Sequence, residues 1–254
     1  INDNLQYINK AVDILVGTAK AYDVAAFYGM NDLLAVGDAA HAFAVGYDWL
    51  APFMNEEQRR VVLERIEDLG AFIYHYSTTG GYYGSIKPPP AGCNWNAVGN
   101  SSLGLCALVL GDKPEWLELA VRQTRAYFTH SLDQTGYNYE GLGYFAYGAL
   151  GAVTFSAALE RNGGPDLVLE EPKVGMVPDY ILSKYQDGVG LWTWLRLMGE
   201  DGDCSYGNDI DWGGASLPYT LLWADVNLEP VLPADAEISL DMVFESGRGS
   251  FRDG

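Results

Sequence analysis

Asn94, Trp95, Asn96 and Asn100 fall within seven residues of one another, and Tyr137, Asn138, Tyr139, Glu140 and Tyr144 fall within eight. Both clusters sit where helices are expected to start. Amides, a carboxylate, phenols and an indole are the side chains that hold and work on polyhydroxylated molecules. An asparagine amide carries both donor and acceptor, which suits a sugar hydroxyl or a neutral hydrogen bond to a carboxylate. Helix capping needs only one asparagine, so three in so short a span point to a further role. Trp95 either stacks on a pyranose face or plugs the space between helices. In the second cluster, a phenol such as Tyr144 can donate its proton to a leaving oxygen or, once ionised, accept one. Glu140 can bind hydroxyls, orient a tyrosine, or act as a general acid or base, and Tyr139 beside it is a binding residue. Aromatic packing is the competing account of these tyrosines and the better one for Tyr147.

Other polar groups are more scattered. His41 lies among alanines with Asp38 three residues before it, so a buried, hydrogen-bonded imidazole competes with a substrate-binding one. His75 and His130 stand alone, and three separated histidines do not compose a zinc site. Asp201, Asp203, Asp209 and Asp211 crowd a glycine-rich loop. Asp209 and Asp211 are the candidate ligands there for a structural divalent cation, although the spacing is not that of an EF-hand. Arg122 and Arg125, with Lys87 and Arg196, are the basic side chains near plausible cavity segments.

The elements that must position these groups read as helices. Apolar residues recur at helical spacing from Leu5 to Phe27, with Gly29 closing the run, and a second helix spans Leu33 to Leu50. Asn55 three residues before Gln58 forms a capping box for a helix reaching about Tyr76, its inward stripe Val62, Ile66, Leu69, Ile73 and Tyr76. Glycines and Pro88-Pro89-Pro90 break the pattern between Thr78 and Asn94. Helix is expected again from about Ala97 to Leu110, leaving Asn94 in the entry loop with Asn96 and Asn100 on one face. Pro114 opens the next helix, to about Leu132, and another runs from about Tyr144 to Arg161. Shorter helical pieces fit 174–185, 189–198 and 216–224. Short connections predict sequential antiparallel pairs, and a ring of such pairs places alternate loops at one end of a central cavity. Residues 1–229 thus form a helical domain. Residues 230–254 form a proline-marked linker and a first strand, where Ile238, Leu240 and Met242 alternate with polar residues. The chain is expected to be a piece of a longer protein, or to add one edge element through this tail.

Composition narrows the partners. With 34 acidic against 15 basic residues, the 254-residue chain carries a formal charge of −19, which repels nucleic acid and anionic membranes at long range. The same field works against a polyanionic substrate unless a local basic lining offsets it. No apolar run is long enough to span a membrane. Cys93, Cys106 and Cys204 are odd in number and without CxxC spacing, so mostly buried free thiols are expected. The chain opens at Ile1 in what reads as helix, as a mature or trimmed form would, and its acidic, aromatic-rich composition is compatible with export to a periplasmic or extracellular location.

In three ordered stretches the sequence resembles the heparinase II/III-like polysaccharide lyases, whose relatives include oligoalginate lyases. These are 41–50 (HAFAVGYDWL), 94–101 (NWNAVGNS) and 139–148 (YEGLGYFAYG), with a weaker echo at 206–209 and a β-domain entry at 242–252. The resemblance implies a mainly α fold, an incomplete (α/α) toroid of antiparallel helix pairs followed by the start of a β-domain. It implies β-elimination on a uronic-acid-containing polysaccharide or oligosaccharide, with Asn94 meeting the uronate carboxylate and Tyr144 as the catalytic tyrosine. Glu140 then supports or binds, and no cofactor is required. Two departures stand out. Trp95 occupies the position where several such lyases carry a histidine, and no histidine follows His130. A glycoside hydrolase on a similar toroid, pairing Glu140 with Asp48, Asp209 or Asp211, is the alternative, and a non-catalytic carbohydrate-binding protein is another. An incomplete ring leaves apolar edges for a missing β-domain or an oligomeric partner to cover.

Overall fold

The structure, a computed structural model, describes residues 2–27, 32–80, 89–177, 242–243 and 249–250. It is mainly α-helical, with six helices among the described residues. These are α1 (Asn2–Ala21), α2 (Leu33–Leu50), α3 (Glu56–Thr79), α4 (Asn94–Leu110), α5 (Pro114–Ser131) and α6 (Leu142–Arg161). Two strands of two residues each, β1 (Met242–Val243) and β2 (Gly249–Ser250), pair antiparallel. The chain divides into two compact units. The first comprises Ile1–His130 and Gly151–Glu170, the second Ser131–Leu150 and Glu171–Gly254.

In the first unit each helix is placed by its own apolar stripe. Val12, Val16 and Ala19 bury one side of α1, while Tyr7 and Ile14 face solvent. Asp32 caps α2, its carboxylate accepting the Ala35 N–H at 3.0 Å. The expected capping box is present on α3: Asn55 Oδ1 accepts the Gln58 N–H at 2.9 Å and Gln58 Oε1 accepts the Asn55 N–H at 2.9 Å. All five residues of its expected stripe are buried. Two arginines of α3 tie it to the helix ends before it. Arg65 Nε donates at 3.0 Å to the Ala19 carbonyl in the last turn of α1, and Arg59 Nε at 2.9 Å to the Ala51 carbonyl just past α2, which also accepts the Met54 N–H.

Helix α4 is buried around most of its circumference and packs on both α2 and α3. Small residues permit that. A Cβ on Gly37 would lie 2.9 Å from the Val98 side chain, and one on Gly104 would lie 2.2 Å from the Phe155 ring. Gly70 meets Trp116 of α5 in the same way. Gly111 ends α4 in the left-handed conformation that glycine adopts without penalty.

Two boundaries differ from expectation. The first helix ends at Ala21 rather than reaching Gly29, which lies outside the described residues. Asp23 intervenes: its carboxylate accepts the Ala25 N–H, and the chain restarts as a 3-10 turn at Val24–Phe27. Helix α4 begins at Asn94, three residues before the expected start, so Asn94 belongs to its first turn and not to an entry loop. The cause is local. Cys93 N–H closes a turn onto the Pro90 carbonyl, and the Cys93 carbonyl then accepts the N–H groups of Asn96 and Ala97. Residues 189–198, 216–224 and most of 174–185 lie outside the described residues, and the 3-10 turn Pro172–Met176 precedes them.

Candidate functional site

Within the first unit, the three asparagines of α4 are interior groups. Asn94, Asn96 and Asn100 are each at most 2% exposed. Asn96 Nδ2 donates to the Ala91 carbonyl at 2.8 Å and to the Gln123 carbonyl of α5 at 3.0 Å, and Asn96 Oδ1 accepts from Asn100 Nδ2 at 3.0 Å. One amide thus anchors the loop before α4, joins α4 to α5, and steadies the next asparagine a turn later. The shared face expected of Asn96 and Asn100 is there, directed into the protein. Both protons of the Asn96 amide are spent on carbonyls, so this side chain holds the start of α4 in place. Trp95, on the other side of that turn, is half-buried.

The arginines sit elsewhere on α5. The helix buries Trp116, Leu119, Ala120, Thr124, Tyr127 and Phe128, whereas Arg122 and Arg125 are exposed. Arg125 Nε lies 2.8 Å from a Glu170 carboxylate oxygen in a surface pair. His41, on α2, is mostly enclosed by protein, and desolvation pulls its imidazole down to about 4. At neutral pH it is therefore uncharged and offers a hydrogen bond rather than a positive charge to an acidic ligand.

That shift makes a testable contribution to stability. The imidazole titrates near 6.5 when unfolded and near 4 when folded, so the unfolded chain binds the proton first. Stability is fully present above pH 6.5 and falls as pH drops toward 4. With part of the ring meeting solvent, the loss is about 2 kcal/mol. Urea unfolding of the wild type and of His41→Gln across that range measures it. The gap between the two should close by this amount on acidification, and parallel curves would remove His41 as the source.

Cys93 and Cys106 are buried free thiols, and burial pushes Cys106 up to about 12. Among the described residues no group of His, Cys, Asp and Glu could hold a metal ion. Asp209, Asp211 and Cys204 lie outside the described residues. A surface hollow of about 360 Å³ lined by Tyr47, Arg59, Leu63 and Leu110 takes in none of the candidate residues.

The second unit presents the other cluster. Residues 131–141 form a tight reversal between α5 and α6, closed by the bridge between Leu132 and Asn138. Tyr139 N–H donates to the Ser131 carbonyl at 3.2 Å and Asp133 N–H to the Tyr137 carbonyl at 3.0 Å. At the tip, Asp133 Oδ1 accepts three hydrogen bonds, from Thr135 N–H, Thr135 Oγ1 and Tyr137 N–H, at 2.8, 2.6 and 3.1 Å. Gly136, at φ 76°, lies against the backbone of Met176 and Val177, and Lys173 Nζ donates to the Leu132 carbonyl at 3.0 Å. Tyr137 is buried and meets Tyr139 edge to face, with ring centroids 6.3 Å apart. Tyr139 and Tyr144 are each 50% exposed, and Glu140 between them is half-buried. The reversal therefore carries Tyr139 and Glu140 on a hydrogen-bonded backbone, and exposed Tyr144 follows in the first turn of α6.

No known family, curated protein or solved structure matches this chain. The likeness to the heparinase II/III-like lyases rests on the motifs alone. No helix among the described residues is long and apolar enough to cross a membrane.

Asp133 was not singled out from the sequence, and Asn138 was named there only as a member of its cluster, without a role. Their signal was present: an aspartate two before Thr135 and three before Gly136 is a turn-forming arrangement, and an asparagine two before Glu140 is another.

Proposed function

We propose that the chain is the helical part of a polysaccharide lyase that cleaves a uronic-acid-containing polysaccharide or oligosaccharide by β-elimination. On this reading the packed helices belong to an incomplete (α/α) toroid, the strand pair β1–β2 opens a β-domain, and the protein acts in the periplasm or outside the cell. The observation that carries it is the exposure of Tyr139 and Tyr144, with Glu140 between them in the sequence, where the hydrogen-bonded 131–141 reversal runs into the first turn of α6. Such a group can bind sugar hydroxyls and exchange a proton with a substrate.

The chemistry asks for little else. A base removes the proton on C5 of the uronate, the electron pair forms the C4–C5 double bond, and the C4–O bond breaks with a proton delivered to the leaving oxygen. Tyr144 is the group assigned to proton transfer, and Glu140 to binding and orientation. Negative charge grows on the substrate carboxylate during C5 deprotonation, and a hydrogen-bond donor there lowers the barrier. The motif likeness gives that task to Asn94, which is 2% exposed, while sugar stacking by Trp95 is read from its residue type and not from the likeness.

The test uses the full chain with alginate, polygalacturonate and glycosaminoglycans. It follows the ultraviolet absorbance of the unsaturated uronate alongside new reducing ends. A lyase raises both together. Reducing ends without the absorbance would replace the proposal with hydrolysis, and binding with neither signal would leave a carbohydrate-binding protein.

A further inference from the structure

We infer that Asn138, backed by Asp133, is the positioning residue that fixes Glu140 and Tyr139 for the proposed reaction, an inference that rests on the lyase reading for its kinetic consequence. Asn138 is fully buried, yet its side chain is wholly engaged in the backbone of the exposed cluster. Nδ2 donates to the Ser131 carbonyl at the end of α5 at 2.9 Å, and Oδ1 accepts the N–H of Glu140 itself at 2.9 Å. Its own carbonyl accepts the Gly141 N–H at 3.1 Å, where α6 is about to begin. The Ser131 carbonyl also takes the Tyr139 N–H. One buried amide therefore links the last residue of α5 to the backbone of Glu140, and the same carbonyl steadies Tyr139.

Tyr139 is 50% exposed and Glu140 half-buried, so the hydrogen bonds of their backbone have a large share in fixing them. Functional side chains keep a productive geometry only when buried partners lock the segment that bears them. Asp133 does for the tip, residues 133–137, what Asn138 does for its base. The residue type matters at 138. An amide donates and accepts at once, whereas an aspartate would retain the acceptor for Glu140 N–H and set a carboxylate oxygen against the Ser131 carbonyl.

The experiment combines amide hydrogen exchange with kinetics on whichever uronate polymer the wild type cleaves. In Asn138→Ala the Glu140 amide should exchange about tenfold faster, the effect of one lost hydrogen bond. Amides in the body of α6 should keep their wild-type rates. In Asn138→Asp, the milder change, the Glu140 amide stays protected. For turnover, kcat/KM should fall about tenfold in Asn138→Ala, mainly through a raised KM, since Tyr139 and Glu140 are the groups assigned to binding. Asn138→Asp should recover part of that loss. Unchanged exchange at Glu140 in Asn138→Ala overturns the inference, as does a uniform rise across 131–161. Should Asn138→Ala not fold, loss of Glu140 protection in Asn138→Asp overturns it equally. If the wild type cleaves no uronate polymer, the lyase reading fails by itself, and the exchange data still decide whether Asn138 holds Glu140.

Discussion

Tyr144→Phe is expected to lower the rate of unsaturated-uronate formation by about two to four orders of magnitude, the range over which a positioned acid or base contributes. The thermal midpoint should barely move. Tyr144 is the third residue of α6 and half its surface meets solvent, so phenylalanine retains the ring and removes only the hydroxyl. Surface changes of that size shift stability by at most about 0.5 kcal/mol. Activity and stability should therefore separate cleanly, and binding of the polymer should persist, because Tyr139 and Glu140 are untouched. The useful comparison is Tyr139→Phe, which changes a phenol of equal exposure two residues beyond Tyr137 and outside the helix. A binding role for Tyr139 predicts a raised KM with kcat largely retained. Full turnover by Tyr144→Phe would move the acid–base role to another group, and equal losses in both variants would mean that the pair binds substrate without dividing the chemistry.

What was legible in the sequence follows from how local each signal is. The bounds of α2 and the capping box of α3 were readable, since apolar spacing and the Asn55–Gln58 exchange involve neighbours in the chain. The turn-rich, tyrosine-bearing segment before α6 was readable for the same reason, and there Tyr139 proves exposed while Tyr137 is buried. The early start of α4 was not. Cys93 occupies the N-cap without a side-chain capping hydrogen bond, and three asparagines within seven residues look like caps when they stand in the helix itself. Nor was the inward direction of Asn96 visible, because the carbonyl it satisfies belongs to Gln123, 27 residues away. An asparagine that seeks a sugar and one that seeks a backbone carbonyl use the same atoms. Only the packing of α5 beside α4 distinguishes them. The acidic loop around Asp209 lies outside the described residues, so its cation-binding expectation is untouched by this geometry.

Gly136→Ala should be the most damaging single-methyl substitution near the candidate site. Gly136 and Gly111 have the same φ of 76°, where an L side chain is strained, yet their surroundings differ. Nothing lies within 4 Å of a Cβ built on Gly111, so Gly111→Ala bears the conformational term alone, about 1–2 kcal/mol. At Gly136 the new carbon would stand 2.5 Å from the Met176 carbonyl carbon and 2.7 Å from the Val177 nitrogen. Backbone cannot swing aside as the tip of a side chain can. Relief requires the 131–141 reversal to lift from Pro172–Val177, which costs the Lys173 hydrogen bond to Leu132 and loosens the turn clamped by Asp133. Adding an overpacking cost of about 1–3 kcal/mol to the conformational one gives a total of about 2–5 kcal/mol for Gly136→Ala. Because the chain divides into two compact units and the substitution lies in one of them, a single melting temperature is a poor gauge. Exchange of the Tyr137 and Tyr139 amides reads the reversal directly, and both should lose protection in Gly136→Ala while keeping it in Gly111→Ala. The same lift would displace Glu140, so Gly136→Ala should also lose turnover without altering any reacting side chain. Equal behaviour of the two alanine variants would show that Gly136 is chosen for its dihedral angle alone and that the contact with Met176 places no constraint on the site.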